Sequence, residues 1–150
     1  MRSRRYWCTG VAALTLIVTT AAMALDVPGV GSCSDASLHG VYGIQLSGTR
    51  PSSPGGPTEA VIGVVVRFYD GRGGVVQIDN VKGAISGYTP DRLGVGTYHV
   101  NPDCSVVIDF TPGPGQQLEE RAVLVDNGHE LRSVTILPAG VMVTSTQIRM

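Results

Sequence analysis

Lysine is almost absent from this sequence: Lys82 is the only one, and the acidic residues outnumber Lys and Arg together by 12 to 11. A chain so poor in cations lacks the electrostatic footprint of a nucleic-acid binder. Aromatic residues make up 5%, and the one tryptophan, Trp7, lies close to the N-terminus. After residue 24 there is no apolar run of about 20 residues, so no helix of the remaining chain is expected to span a membrane. Helical periodicity longer than one turn is also missing there; Asp35 to Gly40 could make one short turn. The hydrophobic fraction of 43% is too high for general disorder. With 150 residues the chain is too short for a two-domain enzyme.

What is present at the N-terminus is the three-part pattern of a secretory signal. Arg2-Ser3-Arg4-Arg5 is basic, Val11 to Val18 is apolar, and Ala22-Met23-Ala24 is a small-x-small cleavage site. Residues 1–24 are therefore expected to be a signal peptide, with 25–150 forming one all-β domain in the periplasm or outside the cell. Ser3-Arg4-Arg5-Tyr6-Trp7 loosely resembles a twin-arginine signal, and an ordinary basic segment explains it as well. Cleavage would remove Cys8 and leave eight basic against twelve acidic residues, a net charge of −4. Export permits a disulfide, and the two remaining cysteines, Cys33 and Cys104, allow one bridge. There is no CxxC pair and no zinc-like spacing.

Apolar, β-branched runs alternate with clusters of Gly, Pro, Asn and Asp, the pattern of an all-β fold. Eight strands are expected, at 40–48, 60–69, 75–83, 93–100, 105–110, 118–126, 129–137 and 141–149. Short turns fall at 70–74, 101–104 and 127–128, where Asn127-Gly128 is a strong two-residue hairpin signal. Longer links at 49–59, 84–92 and 111–117 carry six prolines. In an up-and-down arrangement the short turns gather at one end and the long links at the other, together with the turn at 138–140. The pattern predicts a small antiparallel eight-stranded barrel, with a β-sandwich as the alternative; closure removes unpaired strand edges. Cys33 and Cys104 would then meet at the trimmed end, with residues 25–37 lying across it as a plug.

Strand faces follow from register. In the last three strands, pairs in the final hairpin are expected to sum to 279. Leu118, Glu120, Ala122, Leu124, Leu131, Ser133, Thr135, Leu137, Met142, Thr144, Thr146 and Ile148 then share the inner face, because the opposite face carries five charges. Glu130 would pair with Arg149 on the outside. Elsewhere the apolar sets are read as core: Tyr42, Ile44 and Leu46; Ile62, Val64, Val66 and Phe68; Val76 and Ile78 with Asn80; and Val106, Ile108 and Phe110 facing His99, Thr97 and Val95. Tyr98 is expected to face out.

That register leaves few inward polar groups. Glu120, Thr135 and Thr144 fall in one row, a carboxylate flanked by two hydroxyls, and Asn80 points the same way, with Lys82 nearer the rim. A carboxylate in a partly apolar barrel mouth could move a proton or hold a ligand's hydroxyl or amine; equally, Glu120 could sit in solvent at the rim. Glu120, Thr135, Thr144 and Asn80 are thus the ligand-binding candidates, and Glu120 the catalytic one. His39, His99 and His129 are scattered, so no metal site is expected, and no cofactor motif is present. Asp70-Gly71-Arg72-Gly73-Gly74 lacks the lysine and helix of a phosphate loop, and Gly-x-Ser-x-Gly does not occur.

These segments bear a resemblance. Cys33, Leu38-His39-Gly40-Val41-Tyr42-Gly43, Phe68-Tyr69-Asp70-Gly71-Arg72-Gly73, Gly96 to Cys104 and Asn127-Gly128-His129-Glu130-Leu131 together resemble a family of small exported bacterial proteins. That family has no assigned activity, so the resemblance transfers no site residue. By architecture the chain is also similar to lipocalin-type and allene-oxide-cyclase-type barrels. A lipocalin usually shows Gly-x-Trp near its first strand, where Gly40-Val41-Tyr42 stands here.

Three functions fit this sequence: a barrel that binds a small apolar or amphipathic ligand, an isomerase or cyclase using Glu120 as acid or base, and a structural or envelope-interaction protein without a pocket.

Overall fold

The computed structural model describes residues 32–113 and 115–150; the expected signal peptide lies outside them. Eight strands run in chain order: β1 (His39–Pro51), β2 (Thr58–Asp70), β3 (Gly74–Gly83), β4 (Gly87–Val100), β5 (Ser105–Gly113), β6 (Gln116–Val125), β7 (Glu130–Leu137) and β8 (Met142–Arg149). Every strand is antiparallel to its neighbours and β8 returns to pair with β1, so the sheet closes into an up-and-down barrel. Closure gives each strand two partners and leaves no edge.

The eight strands sit where the alternating runs place them, but several are longer. The link expected at 84–92 shrinks to residues 84–86, and that at 111–117 to residues 114–115. Proline at 90 and 112 reads as loop in the sequence, yet both lie within strands. A bulge accommodates Pro90: the β3–β4 register shifts between Asp79 and Val81, where a missing ladder donor costs little. Strand extension, rather than irregular loop, therefore raises the wall at this end.

The other end is closed. Cys33 and Cys104 form a disulfide with Cα atoms 5.1 Å apart. Residues 33–38 cross the opening as a short plug, which includes a single 3₁₀ turn at Asp35–Ser37. Leu38 is fully buried, the Tyr98 hydroxyl donates to its carbonyl at 2.7 Å, and Asp35 accepts from the Val100 amide at 2.7 Å. Above the plug, Tyr42, Tyr69 and Tyr98 pack edge to face, with centroids 5.3 and 5.1 Å apart. The Tyr42 hydroxyl donates to the carbonyl of Gly128. Gly128 is required there: its φ is +80°, and a Cβ would come within 2.3 Å of the Ser37 carbonyl oxygen.

Strand faces depart from expectation in three places. β7 and β8 pair with a sum of 278, as in Val134↔Thr144, because the final turn is centred on Ala139 and so spans an odd number of residues where an even number is expected. A slip of one residue reverses a whole strand. Met142, Thr144, Thr146 and Ile148 therefore face out, and Gln147 is fully buried. Glu130 stands opposite Ile148 rather than Arg149, and bonds Arg132 at 2.7 Å. The β4–β5 pairs sum to 206, as in Val100↔Val106, where an even turn at 101–104 gives 205; Cys104 takes φ +65° in this turn and β4 is reversed, so Tyr98 faces in, and Val95, Thr97 and His99 face out.

In β2 and β3 the expected register holds, as Phe68↔Val76 shows, but the inner face is the charged one. Glu59, Arg67, Gln77 and Asp79 are buried, whereas Ile62, Val64, Val66, Phe68, Val76 and Ile78 are exposed and Asn80 faces outward. The cost of burying charge assigns a face only when the charges would be unpaired, and these have partners on other strands: Glu59 with Arg50, Arg67 with Glu120 and Asp79 with Arg92.

The bridge joins residues 71 apart in sequence, so chain entropy assigns it a stabilisation of about 2–4 kcal/mol. The Cys33→Ser/Cys104→Ser variant should unfold at a correspondingly lower urea concentration with unchanged strand content by circular dichroism. A midpoint equal to that of the native protein would show that the plug holds without it.

Candidate functional site

Between the tyrosine layer and the open end lies a polar layer centred on Arg67 of β2. Its guanidinium spans the barrel to Glu120 of β6, Nη2 to Oε1 at 3.0 Å and Nη1 to Oε2 at 3.2 Å. Both side chains are more than 90% buried. A bidentate guanidinium–carboxylate pair is the geometry that best repays desolvation of two charges. Arg67 Nε donates to Gln77 Oε1 at 2.7 Å, and the guanidinium carbon lies 5.0 Å from the centre of the Phe110 ring.

The remaining bonds form a directed circuit. Arg67 Nη1 donates to the Tyr69 hydroxyl (3.1 Å), which donates to Gln147 Oε1 (2.8 Å). Gln147 Nε2 donates to Ser145 Oγ (3.4 Å), Ser145 and Ser133 share a bond of 2.7 Å, and Ser133 Oγ donates to Glu120 Oε2 (2.9 Å). Because the Ser133 proton points at the carboxylate, the shared bond must be donated by Ser145. Every donor thus points from the cation towards the anion, and the circuit closes through the ion pair. Burial pushes the Tyr69 phenol up to about 12, against the opposing pull of Arg67, so it stays a neutral donor at physiological pH. Among the described residues no buried side-chain nitrogen or oxygen lacks a partner.

Two further ion pairs line the space above. Arg92 of β4 lies directly across from Asp79 of β3 and holds it by two bonds of 3.0 and 3.1 Å. At the rim, Glu59 accepts from the Ile85 and Ser86 amides (both 2.8 Å), the Ser86 hydroxyl (2.6 Å) and Arg50 (3.1 Å). The hydrogen bonds of Ser86, ahead of those from Ile85 and Arg50, hold the Glu59 carboxyl down at about 2. Gly83 makes room for it: a Cβ there would lie 2.3 Å from a Glu59 oxygen. Glu59 ties the start of β2 to the 84–86 turn and to the end of β1.

The polar layer is the floor of a cavity of about 1120 Å³ that opens between residues 51–55, 115–117 and 138–141. Its walls are largely apolar, with Ile44, Leu46, Val61, Val65, Val81 and Phe110 facing the space. A funnel of this size, apolar in its walls and polar at few points, has the make-up of a small-molecule pocket.

Of the residues singled out in the sequence, Glu120 and Thr135 are brought together inside, paired across β6 and β7. The hydroxyl that reaches the carboxylate belongs to Ser133, not Thr135. Thr144 and Asn80 do not face inward as expected, although Thr144 still borders the cavity. Thr144 is exposed and bonds the Ser47 carbonyl, since the one-residue shift of β8 turns it outward. Asn80 lies on the outer face, held by the Tyr88 hydroxyl and by Asp91. The space assigned to Thr144 is filled by Ser145 and Gln147. Both carboxylate oxygens of Glu120 are held by Arg67, and Ser133 adds a third bond.

Sequence reasoning missed Arg67, Tyr69, Gln77, Asp79, Arg92 and Gln147. One signal was available. Glu59, Arg67, Asp79 and Arg92 all fall on one face of β2–β4 and balance in sign, a pattern that points to internal pairing more than to a solvated wall.

Two outcomes follow. Arg67→Met should destabilise the fold by roughly 3–5 kcal/mol, by leaving Glu120 buried and alone, and Arg67→Met/Glu120→Leu should recover most of that loss in urea unfolding. Additive losses would mean that the two side chains act independently. Glu59 titrates below its ordinary value of 4.5, so its stabilising effect is complete above that pH and is lost as pH falls towards about 2. The Ile85 and Ser86 amide resonances should therefore move with a midpoint near 2; a midpoint near 4.5 would contradict the buried cap. Comparison with protein-family models, with curated proteins and with solved structures finds no match, so the fold and this site rest on the chain's own geometry.

Proposed function

We propose that this protein is an exported barrel that takes up one small apolar or amphipathic ligand through the mouth framed by residues 51–55, 115–117 and 138–141. The observation that carries the reading is the cavity of about 1120 Å³ above a polar floor whose charges are already paired. Because Arg67, Asp79, Arg92 and Glu120 neutralise one another, affinity would come from apolar surface buried against Val61, Val65, Val81 and Phe110. The ligand need bring no charge of its own. Export to the periplasm or beyond is supported by the basic–apolar–small pattern of residues 1–24 and by the disulfide, which suits an oxidising compartment.

An isomerase or cyclase is the second reading, favoured by the position of Glu120 at the cavity floor. Against it stands the engagement of both carboxylate oxygens.

Neighbouring residues on one strand give a clean test, since Val65 faces the cavity and Val64 the outside. The neutral apolar dye Nile red should bind the exported protein with increased fluorescence. Val65→Trp and Val143→Trp, which fill the cavity, should weaken binding roughly tenfold or more, while Val64→Lys leaves it unchanged. Binding that survives both tryptophans and fails in Val64→Lys would move the ligand to the outer wall and sink the proposal. Native mass spectrometry of protein purified from its own host should show a co-purifying small molecule.

A further inference from the structure

The outer wall of the barrel is divided into two unlike halves. On β5–β7 it carries Asp109, Glu119, Arg121, Glu130 and Arg132, with ion pairs Arg121–Glu119 and Arg132–Glu130 at 2.7 Å. On β2–β4 two rows of apolar side chains cross the sheet instead. One row is Phe68, Val76 and Val95, the other Val66, Ile78 and Leu93, each residue directly opposite the next. Ile62 and Val64 extend the patch along β2, and all eight are 44–61% exposed. Charge appears only at its ends, with Asp70 and Arg72 at one and Lys82 and Asp91 at the other.

The exposed apolar surface of these eight residues is on the order of 750 Å², above the roughly 300–600 Å² of the largest patch on a typical monomer. It matches the contribution of one partner to a standard interface, about 800 Å². The surface also has relief. Beside the two rows lies a groove of about 700 Å³ over Gly43, bounded by Gln45, Val64, Val66, Ile78, Asp91 and Ile148. A twofold axis would set the rows of one copy against the groove of the other.

We infer that the outer face of β2–β4 is where this protein packs against a second copy of itself. A membrane is the competing occupant, and charge argues against it. A barrel that spans a bilayer needs an apolar belt all round, and the β5–β7 half breaks it. Docking on an anionic surface needs cations around the patch, and the two present, Lys82 and Arg72, stand at opposite ends, each beside an aspartate, Asp91 and Asp70. An uncharged, self-complementary face suits a like copy, because no charge is stranded when it meets itself.

The experiment is sedimentation velocity of the exported protein at micromolar concentration. We expect a species of two or more copies, shifted to monomer by Val66→Lys and by Leu93→Lys. Val123→Lys, at a comparably exposed position on the charged half, should leave the assembly intact. Circular dichroism and an intact Cys33–Cys104 bridge show whether each variant is folded, and the second substitution stands in if the first is not. A monomeric native protein overturns the inference, as does an assembly that survives both substitutions. A protein that remains monomeric but floats with phosphatidylcholine vesicles overturns it in favour of a membrane.

Discussion

The Arg67–Glu120 pair spans the barrel from β2 to β6, and most of the interior is arranged around it. Two ions taken from water to a buried site lose several kcal/mol each, and attraction alone does not always make that good. Here the deficit is met by neighbours. Gln77 and Tyr69 take the remaining directions of the guanidinium, and Ser133 takes a further position on the carboxylate. Each neighbour in turn needs a partner, which brings in Gln147, Ser145 and, on the other side, Asp79 and Arg92. Six of the eight strands are thereby tied at one level of the barrel.

That layer divides the interior by chemistry. Below it, three tyrosines and a band of aliphatic residues fill the space to the plug, which is fastened by Cys33–Cys104. Above it, the walls are aliphatic, the strands run past their expected ends, and the space is open. A floor of fully engaged polar groups has few free donors or acceptors to offer a ligand. On the function proposed above, selection would then be by shape and apolar contact rather than by charge.

The same charges explain the unusual exterior. Strand alternation allows one face in, and β2 and β3 spend it on Glu59, Arg67, Tyr69, Gln77 and Asp79. Their most apolar residues are left on the outside. Polar network within and apolar wall without are one choice of facing, and the second half of that choice leaves a surface suited to a partner.

What the sequence determined was the set of eight runs, their order, the ends at which turns gather, and the chance of one bridge. These depend on local alternation, on Gly, Pro, Asn and Asp at turns, and on a count of cysteines, all visible along the chain. The inward position of Glu120 was legible too, because Asn127-Gly128 fixed the β6–β7 register. What only the tertiary structure decided was facing in β2, β3, β4 and β8. An odd rather than an even spacing in the turn at Cys104, or in the one near Pro138, reverses a strand without any mark in its own alternation. In β2 and β3 both faces are consistent with a strand, and the charged one becomes the interior only because Arg67 meets Glu120 from 53 residues away. Pairing over that distance is a property of the closed barrel, and no local pattern encodes it.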